Sequence, residues 1–236
     1  MKLFAIVTFA SNTPRHKSSI SLTAAQEQND QPTTGSICGA HKDADVIFLV
    51  EPALTGVEQA RHIFDFIGEV TTRFSMSSGN IRVGHESNHC GGGDIHLGEY
   101  ESGEELAKAF RKTTYSWMVH MVKRLRTHLF ATENGGRDTA KHIAVLFVDD
   151  KLDNKDKLIE EARRARCEGI EVFVVAIGDS VVDDELAMLS SSPVARHIIR
   201  VTSYEALIHT VPNFLDRFCY GKSVSIVDVA CEWKTV

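Results

Sequence analysis

Three short stretches of the chain are almost wholly apolar: Asp45-Val46-Ile47-Phe48-Leu49-Val50, Ile143-Ala144-Val145-Leu146-Phe147-Val148 and Val172-Phe173-Val174-Val175-Ala176-Ile177. A strand with one wet face alternates apolar and polar side chains. One that is apolar at nearly every position is covered on both faces, as central strands of parallel sheets are. Between these runs the apolar spacing changes to three and four. Val57, Ala60, Ile63, Phe64, Ile67, Val70 and Phe74 mark one amphipathic helix. Residues 155–167 mark a second, and Ser203–Cys219, with Leu207, Val211, Phe214 and Phe218, a third. Helices are also read at 104–110, 117–130 and 184–190. The pattern predicts an α/β fold of the doubly wound kind, a mostly parallel central sheet with helices on both faces. Ile81-Arg82-Val83-Gly84 begins a further strand and His197–Val201 a weaker one. Ile95-His96-Leu97, returning after the turn Cys90-Gly91-Gly92-Gly93-Asp94, is expected to be one antiparallel edge strand.

The 236 residues suit one domain with short extensions, and 43% hydrophobic residues are enough for a sizeable core. The net charge of -6 leaves no basic surface of the density that a phosphate backbone demands. The two basic runs, Lys123–Arg126 and Arg163–Arg166, are read as solvated helix faces, so nucleic acid is not an expected partner. At the start, Lys2 precedes the apolar run Leu3–Ala10, with Thr8 and Ala10 placed as the small residues of a cut before Ser11. Residues 1–10 therefore read as a signal peptide of a secreted, extracellular protein. Residues 11–37 form a polar leader, 38–219 the domain and 220–236 a tail. No later run reaches the roughly 18 apolar residues of a membrane span.

Ligands of open α/β sheets bind beyond the carboxyl ends of the strands. Those ends hold Glu51, Asp149 and Asp179. Neither G-x-G-x-x-G nor G-x-x-x-x-G-K-[ST] follows a strand, and no G-x-S-x-G elbow is present, so cofactor and nucleophile chemistry lack their usual carriers. A small-molecule enzyme on a Rossmann-like sheet is the weaker alternative, and the chain is read as no enzyme. His85, His89, Cys90 and His96 cluster in sequence, but they are read as surface residues of the edge hairpin rather than zinc ligands.

Several segments, in order and spacing, resemble von Willebrand factor type A domains. Asp45–Glu51 is similar to the family's opening strand and Asn80–Gly84 to its second. Gly135–Asp150 resembles the approach to its fourth strand, Gly169–Gly178 its fifth, and Ser203–Leu207 with Phe214–Cys219 its last helix. The likeness covers about residues 38–219 and is nearest to the A domains of type VI collagen and the matrilins. It implies an extracellular matrix or adhesion module that binds proteins, collagen among them, or another copy of itself. In the family a divalent cation, Mg²⁺ or Mn²⁺, often sits above the sheet. The matching positions here are Glu51, Ala53, Thr55, Ser116 and Asp149. Ala53 brings no side-chain oxygen, and Glu51 carries its carboxylate about 1.5 Å further than an Asp would. Magnesium tolerates such displacement poorly. The expected site is thus degenerate, with Glu51, Thr55, Ser116 and Asp149 as weak metal candidates, and binding without a bound metal is the main reading. A cation-dependent adhesion module is the alternative.

Five cysteines show no C-x-x-C pair. The layout allows, and the resemblance supports, a bridge from Cys38 to Cys219, closing the domain where its last helix returns beside the first strand. Cys167 is read as a small core hydrophobe, and Cys90 and Cys231 as candidates for a second or an intermolecular bridge.

Overall fold

The computed structural model describes residues 38–39, 43–50, 57–86, 95–110, 118–152, 154–220 and 231. Five strands make one sheet: β1 (Ala44–Leu49), β2 (Ile81–His85), β3 (Lys141–Val148), β4 (Glu171–Ile177) and β5 (Ile198–Val201), in the order β2-β1-β3-β4-β5. All four pairings are parallel, with Val46 opposite both Val83 and Ile143, and Phe173 opposite Val145. Every residue of β1 is buried. Alternation along each central strand divides the core into two. Val46, Phe48, Val145, Phe147, Phe173 and Val175 face one layer, and Ile47, Leu49, Ala144, Leu146, Val172 and Val174 face the other.

The first layer holds α1 (Val57–Thr72), α2 (Gly103–Phe110) and, further along the chain, a helix at Leu207–Leu215. Phe66 from α1 meets Phe147 of β3 edge-on at 5.9 Å and Phe214 at 5.4 Å. The second layer holds α3 (Met118–Arg124), α4 (Lys155–Cys167) and α5 (Asp183–Leu189). The single turn α6 (Val194–His197) leads into β5, and Leu207–Leu215 is α7. The helix expected over 117–130 widens to π geometry at Leu125–Leu129, and the last helix does the same at Asp216–Tyr220. α4 ends at Gly169, whose φ of 89° is open to glycine without strain.

The expected antiparallel edge strand is not found among the described residues. His85 and Ile95 exchange one pair of N–H···O bonds of 2.9 Å, an isolated antiparallel bridge. Two residues on, the Leu97 N–H turns to Asn134 O at 3.1 Å, so the ladder stops after one rung. The sheet is parallel throughout.

The amino ends of the strands are closed by charge. Asp45, fully buried, accepts Arg137 Nε at 2.9 Å, Nη2 at 2.7 Å and the Arg137 backbone N–H at 2.7 Å. Glu171, at the start of β4, sits among Lys141, Arg196 and His197. Cys38 and Cys219 are joined there by a disulfide with Cα atoms 5.4 Å apart, and Cys167 is joined to Cys231 with the same Cα separation. Cys167 is therefore a bridge partner and not the free core hydrophobe expected from its place at a helix end. Cys90 lies outside the described residues.

Candidate functional site at the carboxyl ends of the strands

The opposite end of the sheet is built differently. Asp149 follows Val148, the last residue of β3, and is half-buried. Its Oδ2 accepts the Tyr204 hydroxyl at 2.5 Å. Asp150, exposed, turns its Oδ1 to the Lys151 N–H at 2.7 Å, and Asp179 is exposed beyond β4. Gly178 N–H donates to Val201 O at 2.8 Å, which keeps the ends of β4 and β5 together. Glu205, beside Tyr204, is held below the ordinary carboxyl range by the Ser203 hydroxyl and its own backbone N–H. Asp149, Asp150, Asp179 and Glu205 thus put carboxylates at this end, with Lys151 beside them. The other weak metal candidates, Glu51, Thr55 and Ser116, lie outside the described residues.

At the end of β2 two polar residues are sealed inside. His85 and Glu86 are each 1% exposed. His85 Nδ1 donates to Phe48 O at 3.0 Å, its ring lies edge-on to Phe64 at 6.1 Å, and Glu86 is paired with Arg124 at the end of α3. His85 is thus a core group and not the surface residue expected, because β2 lies under α1. His96 is exposed, while His89 and Cys90 are outside the described residues. The basic runs also differ from expectation. Arg124 reaches the buried Glu86, and Arg126 is paired with Glu161 and Glu168. Arg163 and Arg164 share Glu160, whose carboxyl the Arg163 hydrogen bond, against a smaller desolvation effect, holds down to about 2. These arginines are paired on the helix flanks rather than simply solvated.

What this end can do follows from its donors. Among the described residues no three His, Cys, Asp or Glu side chains converge on a metal position. Asp149, with Oδ2 held by Tyr204, offers one further carboxylate oxygen, which fits a single vertex of a cation's coordination shell. It fits equally the ammonium or guanidinium of a partner. Tyr204 was not singled out as a site residue from sequence; the available signal was its place just past the last strand, on the edge where the strand ends gather. A groove of about 340 Å³ between α1 and α2, lined by Phe64, Gly68, Glu69 and Glu104 among others, lies on the flank and not at the strand ends. Among the described residues no helix is long and apolar enough to cross a membrane.

The domain carries exposed and half-buried carboxylates at the carboxyl ends of its strands, where open α/β sheets bind their ligands. The von Willebrand factor type A domain model matches residues 45–213, and the chain belongs to that family. Chicken matrilin-1 is 23% identical over 215 residues, covering 88% of this chain and 42% of that protein. The human collagen alpha-5(VI) chain is 30% identical over 157 residues, 64% of this chain and 6% of that one. The chain spans less than half the length of the matrilin-1 proteins it matches. Among solved structures, proximal thread matrix protein 1 of the mussel byssus superposes with a TM-score of 0.65 at 20% identity, over 77% of this chain and 49% of that one. The same mussel protein with a zinc-occupied metal-ion-dependent adhesion site gives 0.64 at 20% identity, over 75% and 48%. These structural likenesses establish the fold.

Proposed function

We propose that the chain is an extracellular matrix or adhesion protein that binds other proteins through the loops above the carboxyl ends of its sheet. It is a non-catalytic binding protein. The observation that carries the assignment of the surface is Asp149. It stands at the tip of a central strand, at the family's acidic position, anchored by Tyr204 and half-open to solvent. The collagen and matrilin relatives make matrix proteins, collagens included, the partner class to test first, with self-association beside it. Residues 1–10 act as the export signal, 11–37 as a leader, 38–219 as the binding domain and 220–236 as a tail.

A second reading, in which binding depends on a divalent cation, is favoured by the zinc-occupied site of the mussel protein and by the carboxylate that Asp149 keeps. Against it stands Ala53, which supplies no side-chain oxygen. One experiment addresses both. Immobilised matrix proteins are probed with the full chain and with Asp149→Ala, each in EDTA and with Mg²⁺, Mn²⁺ or Zn²⁺ restored. Loss of binding in Asp149→Ala is expected and assigns the surface. Loss in EDTA, reversed by one of the ions, selects the cation-dependent reading. Equal binding by Asp149→Ala removes the surface assignment.

A further inference from the structure

Tyr204 stands in the turn after β5, and β5 lies two places from β3 in the sheet. Its hydroxyl nevertheless reaches Asp149, 55 positions back in the chain. Two restraints hold it there. The ring is half-buried and packs against the core cluster of the first layer. The backbone is closed into a turn by Ala206 N–H to Ser203 O at 3.2 Å and Leu207 N–H to Tyr204 O at 3.1 Å, where α7 begins. A phenol fixed at both ring and backbone has little freedom left at its oxygen, so it sets the plane of the carboxylate it touches. With Oδ2 taken by Tyr204, Oδ1 is the oxygen left for a ligand.

We infer that Tyr204 is the positioning residue of this surface, holding Asp149 so that Oδ1 meets a cationic group of the bound ligand. The inference rests on Asp149 belonging to the binding surface proposed above. Two sources share that chemistry, a divalent metal ion and a lysine or arginine side chain of a partner. Either gains from a carboxylate already oriented. For metal ligands, losing such an outer hydrogen bond costs about 10–100-fold in affinity. Tyr204→Phe removes the hydroxyl and keeps the ring that fills the core.

The test uses the full chain. Calorimetric titration with MgCl₂, MnCl₂ and ZnCl₂ probes the ion, and titration with an octa-arginine peptide in EDTA probes the side-chain source. Whichever probe the wild type binds is expected to bind Tyr204→Phe about tenfold more weakly. In the ligand-free chain, an isotope-edited infrared difference spectrum is expected to show the Asp149 carboxylate stretch shifted by the substitution. A purely structural role would lower the thermal midpoint and leave affinity alone. Equal affinity of Tyr204→Phe and wild type overturns the inference, as does an unshifted carboxylate band. Failure of the wild type to bind every probe overturns the cationic ligand. Asp149→Asn separates the two levels: if it loses binding while Tyr204→Phe keeps it, the surface stands and the role of Tyr204 falls. If Asp149→Asn binds normally, the surface itself falls.

Discussion

Asp45 is held in the core chiefly by Arg137, with His142 Nε2 further off at 4.0 Å. Its side chain is fully buried, and Arg137 meets it with a two-pronged guanidinium whose remaining N–H groups serve Ala44 O, Gly79 O and Asn80 O. Removing one member of such a pair strands the other, at a cost of about 3–5 kcal/mol, whereas replacing both by apolar residues of like size is far cheaper. Arg137→Ala is therefore expected to lose about that much in urea unfolding. The double variant Asp45→Leu with Arg137→Met is expected to lose much less. A double variant as unstable as Arg137→Ala would refute the pairing as the cause. Glu171 carries a pH prediction. Desolvation by burial works against its charge, but the His197 hydrogen bond and the Lys141 and Arg196 charges outweigh it, and its carboxyl is lowered from 4.5 to about 2. Because the folded value is the lower one, the stabilisation is complete above pH 4.5 and is lost as pH falls towards 2, about 3 kcal/mol in all. Glu171→Gln should flatten the acid limb of the stability curve between those limits, and an unchanged limb would contradict it. Residues of this kind were only partly legible in the sequence. Asp149 could be placed because an all-apolar strand announces where it ends. The pairings of Asp45 with Arg137 and of Asp149 with Tyr204 join positions 92 and 55 apart, and only the strand order brings them together.

α1 and α2 touch through glycines, and the two contacts differ in severity. A Cβ on Gly103, at the start of α2, would come within 2.6 Å of Thr71 C and O and 2.7 Å of Thr72 N. Those are backbone atoms of α1 and cannot rotate aside, so the whole helix must shift. A Cβ on Gly68 would meet Ala107 Cβ at 2.9 Å, with Ala107 Cα at 3.8 Å, a single and milder clash. That substitution also recovers up to about 1 kcal/mol of helix propensity. Gly103→Ala is expected to cost about 1–3 kcal/mol and Gly68→Ala clearly less, both read from thermal midpoints. The reverse order would show that α2 can slide on α1. At this scale the sequence was most informative. Runs such as Val172–Ile177 exclude a wet face, and a spacing of three and four excludes a strand. The edge strand misled because Ile95-His96-Leu97 has the right alternation, while its pairing is set by Asn134, a residue in the distant loop before β3.

The domain as a whole is asymmetric along its strands: both disulfides and the Asp45 and Glu171 ion pairs lie at the amino ends, whereas the carboxyl ends hold the Asp149 surface and the Glu86–Arg124 pair. Cys38 is hydrogen-bonded to Arg73 O just ahead of β1, and Cys167 closes α4 just ahead of β4. In the chain-entropy account a bridge stabilises by shrinking the unfolded ensemble, more so for a longer loop. The Cys38–Cys219 bridge closes a separation of 181 and the Cys167–Cys231 bridge one of 64. These correspond to about 5 and about 4 kcal/mol before native strain is subtracted. The paired Ser variant of the first bridge should thus be the less stable of the two, while neither should abolish binding at the far end. Cys167–Cys231 was not legible, because Cys231 falls in a tail without periodic pattern. The count closes the matter: five cysteines less four bridged leaves one, Cys90. Alkylation without prior reduction is expected to label Cys90 alone in a monomer, or none in a chain joined to a second copy through it, and peptide mapping distinguishes these. A peptide linking Cys90 to any of the other four would overturn the pairing, and with it the assignment of both braces to the end away from Asp149.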